Sequence, residues 1–155
     1  MIMKPFSPHS VITTLIFLTG LLAAFIGHLN PGSMPFVWIT LAVTIIYLCA
    51  GWYLFYGYYP SAHPLLLLVF GFLYASIFIS FTFFIAGWPL YKTMLSVSPF
   101  WCIAIIALVL IFRKKLSAPG IIQFIVEAII MMTFSVLYLK LSWCISPRVM
   151  RISTE

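Results

Sequence analysis

The chain has 155 residues, of which 65% are hydrophobic, 18% aromatic and 6% charged. Soluble globular domains carry about 25% charged residues, so this composition excludes such a domain and indicates a protein whose solvent is the lipid bilayer. The formal charge of +6 is better explained by membrane topology and anionic lipid headgroups than by nucleic acid, because the sequence contains no nucleic-acid-binding motif.

Five apolar segments follow one another, and each is close to the length that crosses a bilayer. A serine followed closely by a proline precedes every segment, a pattern typical of the first turn of a helix. The predicted spans are residues 10–29, 35–57, 64–86, 96–112 and 120–143. The sequence therefore predicts one transmembrane domain, residues 1–155, with an all-α fold: an integral membrane bundle of five helices joined by short loops.

The tryptophans fall close to the predicted span boundaries, where an amphipathic indole ring prefers to lie. We therefore predict that all of them are interfacial anchors: Trp38, Trp52, Trp88, Trp101 and Trp143.

The distribution of basic residues predicts an orientation, but it leaves two span counts open. With five spans, Lys4 and the cluster 113–115 share one face, and the positive-inside preference places that face in the cytoplasm, in a bacterial inner membrane. The other face then carries as many basic residues. If the last segment did not cross, every basic residue except Lys92 would lie on one side, so four spans are the alternative.

The second and third segments share a repeated pattern. Ala50-Gly51-Trp52 recurs as Ala86-Gly87-Trp88, 36 residues later, and two hydroxyl residues upstream recur at the same spacing. Small and hydroxyl side chains on one face permit close helix packing and interhelical hydrogen bonds. The predicted packing faces are Gly20, Ala24 and Gly27 in the first segment, Thr40, Thr44 and Gly51 in the second, and Gly71, Ser76, Ser80 and Gly87 in the third.

The fifth segment contains Glu127, the only acidic residue besides the last one, Glu155. At about 100° per residue, Gln123, Glu127, Ser135, Tyr138 and Ser142 form a polar stripe, and the first four are candidates for one polar site. We expect this stripe to face other helices or a wet cavity, because a carboxylate facing lipid is costly. Three interpretations remain open: a carboxyl that fixes helix packing by hydrogen bonds, a proton or cation site, or a carboxylate at the headgroup level with no role.

The sequence offers no set of residues for catalysis. It contains no aspartate, a single internal glutamate, no nucleotide-binding or hydrolase motif and no CxxC pair, so we predict neither an enzyme nor a bound cofactor or metal. Cys102 and Cys144 are expected near the same non-cytoplasmic face, where they either form a disulfide or remain two free thiols.

The predicted function is that of a small non-enzymatic accessory or subunit. Its partners would be the lipid bilayer and either a second copy of the chain or another membrane protein, which it would contact by helix packing. The alternative is a small proton- or cation-coupled carrier or channel that uses Glu127.

Overall fold

Five long helices follow the apolar segments. The computed structural model describes residues 8–30, 33–56, 64–115 and 118–152, with side chains described at 11–30, 33–56, 64–114 and 120–140. The helices are α1 (Pro8–Leu29), α2 (Met34–Tyr56), α3 (Pro64–Ala86), α4 (Tyr91–Ile111) and α5 (Ala118–Ile152), with a short 3-10 turn at Arg113–Lys115. Each helix contains a stretch long and apolar enough to cross a membrane. The predicted all-α fold with five helices of membrane-spanning length is thus confirmed.

The helix α3 lies at the centre of the bundle. It is the most deeply buried of the five and packs against α1, α2 and α4. Because short loops join antiparallel neighbours, α1, α3 and α5 run in one direction and α2 and α4 in the other. We call the end of the bundle that holds the start of α1, the end of α4 and the Arg113–Lys115 turn the N-terminal face.

The backbones of α2 and α3 touch at two glycines. A Cβ atom on Gly51 would lie 2.5 Å from the Cα atom of Gly71, and one on Gly71 would lie 2.6 Å from the carbonyl oxygen of Tyr47. Real Cβ atoms do not approach backbone so closely, so only glycine fits at both positions. The packing partner of Gly51 is therefore Gly71, and the close contact holds α2 and α3 at a short distance.

Gly87 does not lie on a packing face, so its assignment there is wrong. The helix α3 ends at Ala86, and Gly87 follows in an exposed turn with φ 63°, where no other side chain or backbone lies within 4 Å of the place a Cβ would take. The repeat is 36 residues long, whereas Met34 and Pro64, which begin α2 and α3, are 30 residues apart. The second copy of the pattern therefore runs past the end of its helix.

The other small residues pack by their size rather than by bonds between helices. Gly20 and Gly27 of α1 face the side chains of Phe78 and Ile85 on α3. Ala24, Thr40, Thr44 and Ser80 are buried, and Ser76 is half-buried. The four hydroxyls donate to carbonyls four residues earlier in their own helices, at 2.8–3.0 Å. The interhelical bonds expected of them are thus replaced by bonds within each helix.

The helix α4 begins at Tyr91, five residues before the predicted start, and it contains Pro99 in its interior. A proline leaves the carbonyl four residues earlier without its N–H partner. That carbonyl belongs to Leu95, and the Ser98 hydroxyl donates to it at 3.1 Å. The Ser-Pro pair that predicted a helix start is therefore accommodated inside the helix, because the serine replaces the missing donor.

This longer α4 moves Trp101 and Cys102 away from the membrane boundary. Trp101 lies half-buried at the middle of the helix, so its role as an interfacial anchor is wrong. Cys102 is fully buried with a free thiol, which removes the reason for expecting a disulfide with Cys144 at that boundary. The exposed rings of Trp38, Trp52 and Trp88 lie near helix ends. The side chains of Trp143 and Cys144 lie outside the described residues, although α5 itself continues to Ile152.

Candidate functional site

The Glu127 carboxyl lies inside the bundle, where it bonds directly to α3 and is linked to α1 through Gln123. Only 4% of the residue is exposed. The Tyr74 hydroxyl on α3 donates to Oε2 at 2.8 Å, and the Gln123 amide nitrogen, one turn earlier on α5, donates to Oε1 at 2.9 Å. The same amide nitrogen donates to the Thr14 hydroxyl on α1 at 2.7 Å. We call Thr14, Tyr74, Gln123 and Glu127 the polar site.

The polar site occupies the half of the bundle nearer the N-terminal face. The apolar span of α5 is Gly120–Lys140. At about 1.5 Å per residue, Glu127 lies roughly 10 Å from the start of this span and Gln123 roughly 5 Å from it. Glu127 is buried, whereas Gln123 and Thr14 are only partly buried. The polar site therefore runs from the middle of the span toward the N-terminal face.

Aromatic packing fixes the position of the Tyr74 ring. Its centroid lies 5.1 Å from the ring of Tyr47 and 5.2 Å from that of Phe55, both on α2. Phe17 on α1 and Phe124 on α5 complete the cluster at 6.5 and 6.1 Å in edge-to-face contacts. All five residues are buried. Because rings in such contacts have little freedom, the Tyr74 hydroxyl is held toward the carboxyl.

Two residues of the predicted polar stripe do not join the site. Ser135 is buried, but its hydroxyl donates to the Met131 carbonyl at 2.8 Å. Tyr138 is also buried, and its hydroxyl has no hydrogen-bond partner among the described residues. They lie two and three turns beyond Glu127, roughly 12 and 16 Å along the helix. The four candidate residues face the interior as expected, but the prediction that they form one site is wrong; the side chain of Ser142 lies outside the described residues.

Tyr74 and Thr14 are the site residues that sequence reasoning missed. The only available signal for Tyr74 was its isolation, because it is the single tyrosine in Pro64–Ala86. Thr14 had no such signal, since the adjacent Thr13 is equally polar and instead donates to the Leu54 carbonyl on α2 at 3.3 Å. Which hydroxyl meets a residue of α5 depends on the rotation of α1.

The chemistry available at the polar site is that of a single carboxyl. Among the described residues, each oxygen accepts one hydrogen bond, and neither bond comes from a cationic side chain. Within the described residues, no three His, Cys, Asp or Glu side chains come together. The polar site therefore has the groups needed to hold a proton and to fix helices, but it does not contain a second carboxylate for acid–base catalysis.

Comparisons with known proteins give no match. No protein-family model matches the chain, and neither a curated protein nor a solved structure is similar to it. The five apolar helices fit a small multi-pass membrane protein. Beyond that class, the function is inferred from the polar site and from the packing of the bundle.

Proposed function

We propose that this chain is a small non-enzymatic membrane subunit or accessory, which acts by packing against a second copy of itself or another membrane protein. The observation that carries the proposal is the use of both Glu127 oxygens as acceptors for Tyr74 and Gln123. Together with the bond to Thr14, this contact ties α1, α3 and α5 together. A buried hydrogen-bonded group of this kind fixes the rotation of its helices, so the bundle presents a constant outer surface.

Part of the surface available to a partner lies on α2 and α4. Both helices carry large apolar side chains that the bundle leaves exposed. They include Ile45 and Leu48 on α2 and Phe100, Ile103 and Leu110 on α4. In a bilayer these side chains contact either acyl chains or another membrane helix, and the proposal assigns part of this surface to the partner.

The proposed location is a bacterial inner membrane with the N-terminal face in the cytoplasm. This orientation is supported by the cluster of Arg113, Lys114 and Lys115 in the short turn between α4 and α5. A cluster of basic residues in a short loop is typical of the cytoplasmic side.

Photocrosslinking in native membranes tests the subunit proposal. A photoreactive amino acid is placed at Leu48 on α2 or Phe100 on α4, both exposed, and at the buried Phe78 as the control. The expected result is an adduct of one defined mass at one exposed position and none at the control. Denaturing purification and mass spectrometry then identify the attached protein. Lipid adducts alone at every exposed position would contradict the proposal.

The second candidate function is a proton- or cation-coupled carrier or channel. It is favoured by the chain of contacts from Glu127 through Gln123 to Thr14, which leads from the core toward one face. Reconstitution into proteoliposomes tests it. Flux driven by a pH gradient should disappear in Glu127→Gln and persist in the matched control Glu155→Gln, which changes the other acidic residue. Flux that persists in Glu127→Gln would rule out a carrier that uses this carboxyl.

A further inference from the structure

The groups on the N-terminal side of Glu127 form a graded polar route. The carboxyl is buried, the Gln123 amide one turn closer to the N-terminal face is partly buried, and the Thr14 hydroxyl beside it is also partly buried. The two hydrogen bonds that link them measure 2.9 and 2.7 Å. Both residues on the side of this face are therefore more exposed than Glu127, and both carry a polar group.

The opposite direction from Glu127 is apolar and tightly packed. Met131, the next residue of α5 on the same side, is fully buried, and Phe78 and Phe81 of α3 are fully buried as well. The Ser135 hydroxyl beyond them donates its hydrogen to the Met131 carbonyl of the same helix. Among the described side chains, no hydrogen bond leads from Glu127 into this half of the bundle. The described side chains therefore offer a proton no chain of donors and acceptors from Glu127 to the opposite face.

We infer that the Glu127 carboxyl is a proton-binding site that exchanges with one membrane face only, the N-terminal face, past Gln123 and Thr14. The inference goes beyond the proposed function, because such a site can serve either a subunit or a carrier. Gln123 acts as a gate in this arrangement. Its amide nitrogen donates to both neighbours, and an amide does not relay a proton without changing its tautomer, so the side chain must turn aside for a proton to pass.

Among the described residues, no positively charged side chain lies beside Glu127 to balance the charge of its ionised carboxyl. The titratable group that contacts it is Tyr74 on α3. Tyr47 on α2 packs on Tyr74, and Cys102 is buried on α4, nine residues from the helix end at the N-terminal face, as Glu127 is on α5. No described lysine or arginine pairs with Glu127. The ionised carboxyl therefore has only neutral donors as partners, and a bound proton removes its charge.

Labelling with dicyclohexylcarbodiimide tests the inference without any transport assay. This reagent dissolves in membranes and reacts with a protonated carboxyl. The O–H group adds across one C=N bond, and the acyl group then moves to nitrogen, which leaves a stable N-acylurea that carries the whole mass of the reagent. Peptide mass spectrometry separates Glu127 from Glu155, and Glu127→Gln provides the blank.

The sidedness of the route is measured in vesicles whose inner and outer pH are set independently. Lys114→Cys, treated with a membrane-impermeant maleimide and compared with the parent chain, reports which compartment adjoins the N-terminal face. Labelling of Glu127 should rise as the pH of that compartment falls and should not change with the pH of the opposite compartment. Labelling that follows the other compartment, follows both, or does not occur at any pH would overturn the inference.

Substitutions at Gln123 test the gate. Labelling reports the protonated fraction of Glu127, so the gate is tested by its dependence on pH. Alanine removes the side chain from the route and should keep the several-fold response of labelling to the pH of the adjoining compartment, whereas leucine fills the same space without polar atoms and should abolish this response. Thr14→Val should also weaken the response. The matched control is Thr19→Val on the exposed side of α1, where the hydroxyl donates to the Leu15 carbonyl at 2.8 Å. An equal response to pH in all variants would overturn the gate, and the photocrosslinking result does not depend on this outcome.

Discussion

Alanine at Gly71 is expected to lower the free energy of unfolding by about 1–3 kcal/mol, the usual cost of adding a methylene to a packed interior. The new Cβ would meet the Tyr47 carbonyl oxygen and the Gly51 Cα atom. Because these are backbone atoms, no side chain can turn aside, and α2 must move away from α3. The Tyr47–Tyr74 contact at 5.1 Å would loosen with it. Alanine at Gly51 should have a similar effect.

The measurement is an unfolding titration with sodium dodecyl sulfate in mixed micelles, followed by circular dichroism. Alanine favours a helix over glycine by roughly 0.8–1 kcal/mol, so a measured loss of stability has to come from the packing contact. The control is Ala42→Leu, which adds apolar bulk on the exposed side of α2 and should leave the midpoint unchanged. A Gly71→Ala midpoint equal to that of the parent would mean that α2 and α3 do not lie this close.

Leucine at Glu127 is expected to destabilise the bundle by about 1–3 kcal/mol, because it leaves buried donors without an acceptor. The Tyr74 hydroxyl and one amide hydrogen of Gln123 lose their partner. Leucine is the more lipid-soluble side chain, yet position 127 faces the interior, so its solubility in lipid offsets little of this loss. Glu127→Gln keeps one acceptor oxygen and should lose less. The same micelle titration measures both variants.

Two tyrosine-to-phenylalanine variants provide the matched comparison. Tyr74→Phe removes one hydrogen bond to Glu127 and should lower stability by about 0.5–1.5 kcal/mol. Tyr138→Phe removes a buried hydroxyl that has no partner among the described residues, so stability should stay unchanged or rise. In the Glu127→Leu background, Tyr74→Phe should restore part of the lost stability, because it removes one of the two donors that have lost their acceptor. Equal losses in the two single variants would contradict the geometry of the polar site.

The helices were predictable because the bilayer sets their length, but two boundaries were not: α4 begins five residues before its predicted start, and α5 ends at Ile152, nine residues after the predicted end of its span. The predicted starts of α2 and α3 lie within one residue of Met34 and Pro64. The start of α4 was wrong because Ser98-Pro99 has the same local pattern as a true helix start. Whether such a pair begins a helix or sits inside one depends on the carbonyl of Leu95, which the Ser98 hydroxyl satisfies. The pattern alone does not contain that information.

Of the polar site, only the residues on α5 were predictable from the sequence. Helical periodicity placed Gln123 and Glu127 together because they belong to one helix and are one turn apart. It also grouped Ser135 and Tyr138 with them, since periodicity gives the direction of a side chain and ignores the distance along the axis. Tyr74 depended on how α3 is rotated against α5. A helix that is apolar on all sides encodes no such rotation, so the partner of Glu127 could not be deduced from the sequence.

The order of the helices along the chain has a consequence for biogenesis. The helices α1 and α3, which supply Thr14 and Tyr74 to the polar site, are synthesised before α5. When the ribosome releases α5, the Tyr74 donor and the Thr14 acceptor are already embedded. The Glu127 carboxyl thus accepts the hydrogen bond from Tyr74 as soon as α5 docks. A chain truncated before Ala118 would lack this acceptor for the Tyr74 hydroxyl.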